Sequence, residues 1–234
     1  MDLLIKGSTE LNKMFAALDK TASGLRHDFG EVENLQQSLR SARDFVSKAS
    51  ARIEESILND LLLVRPSAGL LTPNMSRDGD GRDEFVLAIS GAANFVRANP
   101  NFAISLALRS MGETKIALIY APILNKLYYA ESDAGACEFS SFHSTKIRVS
   151  QLTNPDDLMI AYNTNSNSPR IGDVRISGCP ALDLASVAAG KLDGFVSDPL
   201  DYAEIAAGEL IVREAGGKIS MGAELIATNG HIEL

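Results

Sequence analysis

Between Gly178 and Gly217 the chain reads GCPALDLASVAAGKLDGFVSDPLDYAEIAAGELIVREAGG, and no other stretch limits the possible folds as tightly. Ala181, Leu182, Leu184, Val187, Ala188 and Ala189 form one apolar helix face within Pro180–Ala189. A second helix is predicted over Tyr202–Ala215, where the small residues Ala206-Ala207-Gly208 let it approach a sheet closely. Gly216-Gly217 is a natural C-cap. Short strands are predicted at Leu192–Val196, Lys218–Ser220 and near Glu224–Thr228. Two helix–strand units in tandem call for a sheet covered by a helical layer.

The pattern upstream is different. Leu3, Leu4, Leu11, Met14, Phe15 and Leu18 recur at three- and four-residue steps, which predicts a helix over Asp2–Ser23 ending near Gly24. His27 to Arg43 is polar, with weak strand potential. Phe45, Ala49, Ile53, Ile57, Leu61 and Val64 predict a second helix over Asp44–Val64, stopped by Pro66. Four short runs then read as an antiparallel meander: Glu84–Ser90, Phe102–Arg109, Lys115–Ala121 and Lys126–Glu131. A strand at Leu158–Asn163 and a polar loop over Asn163–Pro169 complete the reading. No repeat or low-complexity linker interrupts the chain. A layered sandwich of sheets and helices is the expected class.

The chain has 234 residues, 45% hydrophobic and 22% charged, enough for a substantial core. Its net charge of -8, without a basic stripe, argues against direct nucleic-acid or membrane-surface binding. Cys137 and Cys179 lie far apart without metal-ligand spacing, which fits reduced thiols. The N-terminal residues carry no signal-peptide pattern and no apolar run approaches a membrane span, so a cytoplasmic location is expected.

The C-terminal block, together with Asn94-Phe-Val-Arg-Ala-Asn-Pro-Asn-Phe-Ala-Ile-Ser105, Asp44-Phe-Val-Ser-Lys-Ala and Arg65-Pro-Ser-Ala-Gly-Leu-Leu71, resembles the inositol monophosphatase family. Within the family it looks most like the bacterial SuhB-like extragenic suppressor proteins. The four blocks fall in the family's order. The resemblance implies an α/β fold, a layered αβαβα sandwich like the inositol monophosphatase and fructose-1,6-bisphosphatase-type phosphatases. It implies one unit over 1–234, with an N-terminal α+β subdomain (1–150) and a C-terminal α/β subdomain (151–234). A homodimer is implied as well, and the apolar run Phe102–Leu108 is the surface expected to form it.

In that family carboxylates from several segments hold Mg²⁺, which activates water and neutralises the phosphoryl oxygens. This chain departs from the pattern position by position. The family's Asp-Pro-x-Asp-Gly-Thr-x-Asn-Phe corresponds to Leu87-Ala88-Ile89-Ser90-Gly91-Ala92-Ala93-Asn94-Phe95. Leu87 and Ser90 thus stand where aspartates are expected, and Ala92 where the threonine is. Ser50 replaces an aspartate at the second helix. Pro73 and Asn74 replace a Glu-Glu pair, and Ser197 replaces an acidic substrate contact. Glu204 is the retained acidic position, expected beside Ser50, Leu87, Ser90 and Ser197 in one neutral pocket.

With those carboxylates gone, the matched positions imply no bound Mg²⁺, no other cofactor and a non-catalytic role, as a binding or regulatory protein with a protein partner. Two alternatives stay open. One is a weak Mg²⁺-dependent phosphatase of the inositol-1-monophosphatase type, using Asp78, Asp80, Asp83, Asp198, Asp201 and Glu204 as substitute ligands. The other is metal-free binding of a phosphorylated ligand at Gly91, Ala92 and Ser197, with backbone amides as the cradle. Each feature also has a plainer account. Asp201-x-x-Glu204 suits a capping box, Gly91 a tight turn, Asp78–Glu84 a solvated loop, and Cys179 a packing residue at a helix start. His27, His143 and His231 are isolated surface histidines.

Overall fold

Two paired helices form the outer layer of the computed structural model, which describes residues 5–35, 39–140, 143–164 and 171–234. Helix α1 spans Thr9–Asn34 and α2 spans Leu39–Val64. Ion pairs Lys20–Asp60 and Arg52–Asp28 show that the two run antiparallel. The Ser8 hydroxyl opens α1 by accepting from the Leu11 amide at 3.1 Å. Residues 2–4, expected in this helix, lie outside the described residues. The expected end at Gly24 and the strand reading of the segment after it are overturned, because α1 continues to Asn34. Leu25, Asp28 and Val32 extend the buried stripe of Leu11, Met14, Phe15, Leu18 and Ala22. That burial outweighs the roughly 1 kcal/mol that a mid-helix glycine costs.

An eight-stranded sheet lies beneath the helices, in the order β2-β1-β3-β4-β5-β6-β7-β8. Its strands are β1 (Gly69–Thr72), β2 (Met75–Arg77), β3 (Asp83–Ser90), β4 (Ala103–Ser110), β5 (Glu113–Ala121), β6 (Lys126–Glu131), β7 (Gly135–Ser140) and β8 (His143–Lys146). The one-turn helix α3 (Ala92–Val96) joins β3 to β4. The expected meander is its centre. Short strands β1, β2, β7 and β8 extend it on both sides, and only the β1–β3 pair is parallel.

Side-chain size differs between the two faces of this sheet. Phe85, Leu87, Ile104, Leu106, Leu108, Leu118 and Tyr120 pack against α1 and α2. The opposite face is rich in alanine, with Ala88, Ala103, Ala107, Ala117 and Ala121. Period-two alternation assigns each residue to its face. Phe102–Leu108 is thereby consumed inside one chain, each residue 0–1% exposed. It offers no dimer surface, and that expectation is withdrawn.

The alanine face receives α4 (Pro180–Ala188) and α5 (Tyr202–Glu214). Gly208 is needed between these two helices: a Cβ there would lie 2.4 Å from Leu184 Cδ1. Its role is helix-on-helix approach, rather than the helix-on-sheet approach expected. Beyond the helices lies a five-stranded sheet, β10-β9-β11-β13-β12. It contains β9 (Met159–Asn163), β10 (Asp173–Arg175), β11 (Gly194–Ser197), β12 (Lys218–Met221) and β13 (Leu225–Thr228). Its outer face, Leu158, Ile160, Tyr162 and Val196, is packed by Ile171, Val174, Ile232 and Leu234. Most of the polar loop expected over Asn163–Pro169 lies outside the described residues. Among the described residues no helix is long and apolar enough to cross a membrane.

Candidate functional site

Arg43, Ser47, Ser50 and Glu54 recur at steps of four, three and four along α2, which puts them on one face of that helix. They form one wall of a cavity of about 650 Å³. Pro73 and Asn74 of the β1–β2 turn, Ile89 at the end of β3, Ala92, Ala93 and Val96 of α3, and Glu204 in the first turn of α5 close it. Five elements from four separate stretches of the chain therefore meet at one concave site. Val46, Ile89, Val96 and the two alanines give it a largely apolar lining.

Two carboxylates enter this space, Glu54 and Glu204. Burial raises the Glu54 pKa above the usual carboxylate value. Glu204 is raised by burial and then by the neighbouring Asp201 charge, against which the Asp201 amide lowers it by donating to the carboxylate. Asp201 in turn accepts from the Ala203 amide at 2.8 Å. The pair forms a reciprocal cap on α5. Glu204 thus caps a helix and lines the cavity at once.

Ser50, Pro73, Asn74, Ala92 and Glu204 meet at this cavity, while Leu87, Ser90 and Ser197 do not line it. The pocket expected to hold all of them is smaller in membership: Ser90 alternates to the other face of β3 from Ile89, and Leu87, on the face of Ile89, lies two residues deeper under the helices. Leu87 shares the face of Phe85 and is wholly buried in the core beneath α1 and α2. Ser90 is wholly buried at the end of β3, where its hydroxyl accepts from the Ala181 amide at 3.2 Å. Ser197 is wholly buried too; its hydroxyl donates to the Asn163 carbonyl at 3.1 Å and accepts from the Asn163 side-chain amide at 3.2 Å.

Gly91 has φ +82°, and its carbonyl accepts from the Asn94 and Phe95 amides at 2.9 and 3.1 Å. A Cβ at this position would stand 2.8 Å from the Asn101 carbonyl oxygen. The turn therefore demands glycine for steric reasons. Cys179, at the start of α4, is buried, and burial pushes its thiol up to about 11 instead of lowering it. It packs; it is not poised as a nucleophile.

The proposed substitute ligands are dispersed. Asp78 and Asp83 line a separate cavity of about 410 Å³. Asp83 pairs with Arg65, and the Asp80 carboxylate accepts from the Arg82 amide at 3.0 Å. Asp198 accepts from the Thr164 hydroxyl at 2.6 Å. Among the described residues, no group of three or more His, Cys, Asp or Glu side chains is placed to hold a metal ion. Mg²⁺ keeps near-octahedral oxygen coordination and binds through converging anionic donors. The side chains of the cavity, two carboxylates beside a guanidinium, hydroxyls and aliphatic groups, do not fit it.

Arg43, Ser47 and Glu54 are absent from the motif reading, since no matched block includes them as functional positions. Their signal is helical periodicity. Once Ser50 is placed at the site, residues three and four positions away on α2 follow.

Comparison with known proteins agrees with this architecture. The model of the inositol monophosphatase family matches residues 8–224. An inositol-1-monophosphatase of Rhizobium meliloti is 35% identical over 228 residues, covering 90% of this chain and 84% of that protein. Nus factor SuhB of Escherichia coli K12 is 29% identical over 229 residues, covering 90% of this chain and 84% of the relative. The crystal structure of extragenic suppressor protein suhB from Bartonella henselae superposes with a TM-score of 0.82 at 33% identity, covering 96% of this chain and 95% of that one. The chain belongs to the inositol monophosphatase family, among its SuhB-like members.

Proposed function

We propose that this chain is a non-catalytic member of its family that keeps the fold as a binding or regulatory protein. One observation carries the reading: the cavity where α2, α3 and α5 meet holds two carboxylates, Glu54 and Glu204, and is otherwise lined by one guanidinium, neutral polar groups and aliphatic groups. Hydrolysis of a phosphate monoester is among the slowest uncatalysed reactions, so its catalysis rests on strong charge stabilisation. An aliphatic-walled site with a net negative lining repels the phosphate and lacks converging ligands for Mg²⁺. What the cavity can do is bind: its size is that of a small-molecule site, and its polar groups are few.

The resemblance implies a homodimer and the function implies a protein partner. Both belong to this proposal, and the dimer surface would be other than Phe102–Leu108. The decisive measurement is phosphate release from inositol monophosphate by the purified protein. The expected result is no Mg²⁺-dependent release above background, no inhibition by lithium and no thermal shift with millimolar Mg²⁺. Turnover that disappears with a chelator and in Glu204→Gln would overturn the proposal and make this a phosphoric monoester hydrolase.

A further inference from the structure

Lys146 and Arg148 leave the end of β8 on a segment with alternating burial. Ile147 and Val149 are half-buried against the core between the sheets, and the two cations are exposed. The segment is pinned: the Ile147 amide donates to the Ala136 carbonyl at 3.0 Å, and the Val149 amide to the Ala215 carbonyl at 3.2 Å. Both cations line a cleft of about 380 Å³ together with Gln151, Glu214 and His231.

The C-terminal turn that carries His231 is equally fixed. Asn229 is wholly buried and donates to the Ser150 hydroxyl and the Leu152 carbonyl, each at 2.9 Å. Its side-chain oxygen accepts from the His231 amide at 2.9 Å. Gly135 and Gly216 contribute bare backbone to the cleft, at φ +84° and +93°. A Cβ on either would meet nothing closer than 3.9 Å, so the space above them is open to a ligand.

The acidic group of the cleft is held by backbone amides rather than by its cations, and its one charge stands against two. The Glu214 carboxylate accepts from the Asp133 and Gly135 amides at 2.9 and 2.8 Å. Among the described residues, neither Lys146 nor Arg148 forms an ion pair. The negative end of α5 is blunted as well. Its last carbonyls, Ile211, Val212 and Arg213, accept from the Ala215, Gly217 and Gly216 amides. A chain of net charge -8 thus presents a local excess of cationic donors in a concave, pinned setting.

We propose that this cleft binds a small phosphate-bearing anion, with Arg148 and Lys146 taking its charge and His231 donating from the C-terminal turn. Guanidinium and ammonium groups make short, charge-assisted hydrogen bonds to such oxyanions, and the arginine fork can engage two oxygens. The cleft is separate from the cavity of Glu54 and Glu204, so this inference stands whether or not that cavity is catalytic.

The test uses calorimetric titration of the whole chain with inorganic phosphate and with pyrophosphate, without divalent metal and at low chloride. Amide NMR shifts locate the site. Saturable binding at millimolar concentration or below is expected, with shifts at Gly135, Arg148, Gly216 and His231. The double variant Lys146→Gln/Arg148→Gln should bind about tenfold more weakly or worse at unchanged melting temperature. Lys115→Gln/Lys126→Gln, equal in charge change but elsewhere, should bind as the parent does. The inference is overturned by an absence of saturable binding, by equal weakening in both double variants, or by shifts centred on Ala92 and Ala93.

Discussion

The Ser90 hydroxyl accepts a hydrogen bond from the Ala181 amide at 3.2 Å, and the Cys179 thiol lies 3.5 Å from the same oxygen. Two layers are joined here, the end of β3 and the first turn of α4. The Ala181 amide is one of the helix-start donors that have no partner within the helix. A residue that motif matching aligns with an expected metal-binding aspartate serves here as a buried structural cap. Ser90→Ala should therefore cost about 1–3 kcal/mol by leaving that donor unsatisfied. Ser90→Asp should also destabilise, because its carboxylate would be shut from water, and added Mg²⁺ should not recover the loss. Urea unfolding with and without Mg²⁺ checks both; a Mg²⁺-dependent gain in Ser90→Asp would contradict the structural reading.

Leu87 gives a sharper case. It is wholly buried with Phe85, Leu106 and Leu118 beneath the helix pair. Leu87→Ala should lose about 2–5 kcal/mol from the missing apolar contacts and the cavity left behind. Leu87→Asp puts an unpaired carboxylate into the same core and should cost more, approaching the whole stability of a typical domain. An acidic residue at this position should thus unfold the chain rather than support metal binding. Circular dichroism during urea titration is the check, and a folded Leu87→Asp of near-parental stability would show that this position opens to solvent.

Much of the fold was legible because local and long-range signals agreed. The Asp201 cap, the apolar face of α4 and the Gly216-Gly217 stop all mark true element ends. Gly24 misleads because a local breaker was outweighed by the tertiary burial of Leu25 and Val32, which no window of sequence displays. The site was legible in a narrower way. Motif matching gives which residue types stand at the matched positions, but strand parity decides where each side chain points. Leu87 and Ile89 share one face of β3, and of the two Ile89, nearer the strand's end, reaches the cavity, while parity turns Ser90 to the other face. Glu54 escaped notice because its only mark is one further helical turn beyond Ser50.

Gly91 combines a left-handed backbone with a close approach to Asn101, Phe102 and Cys179. Gly91→Ala suffers on both counts, as the residue must hold φ near +82° and its Cβ would fall 2.8 Å from a carbonyl oxygen and 3.1 Å from Cys179 Cβ. A loss of about 2–3 kcal/mol or more is expected, against the few tenths typical of an unstrained surface change. Cys179→Ala would not relieve the strain, since the Asn101 clash remains. Thermal unfolding of the single and double variants checks this, and a double variant restored to parental stability would show that the thiol is the obstacle.

Asp183 supplies a pH signature for the same corner of the fold. Its carboxyl is buried in the first turns of α4 and accepts from the Ser177 hydroxyl at 2.7 Å. Burial raises it to about 6, with the Ser177 hydrogen bond opposing the shift. In the unfolded chain an aspartate titrates near ~3.9. The folded form therefore holds the proton more tightly, and the stability this group contributes is fully present below about pH 4. It is lost as the pH rises through about 6, where the carboxylate must be charged inside the protein. Asp183→Asn keeps an acceptor for Ser177 and has no such loss. Relative to Asp183→Asn, the parent should fall in stability by up to about 3 kcal/mol between pH 4 and pH 8, taking ~1.4 kcal/mol per pKa unit as the upper bound. Paired urea melts across that range provide the measurement. A difference that stays flat, or one that grows in the parent's favour with rising pH, would mean that the folded protein stabilises the charged carboxylate.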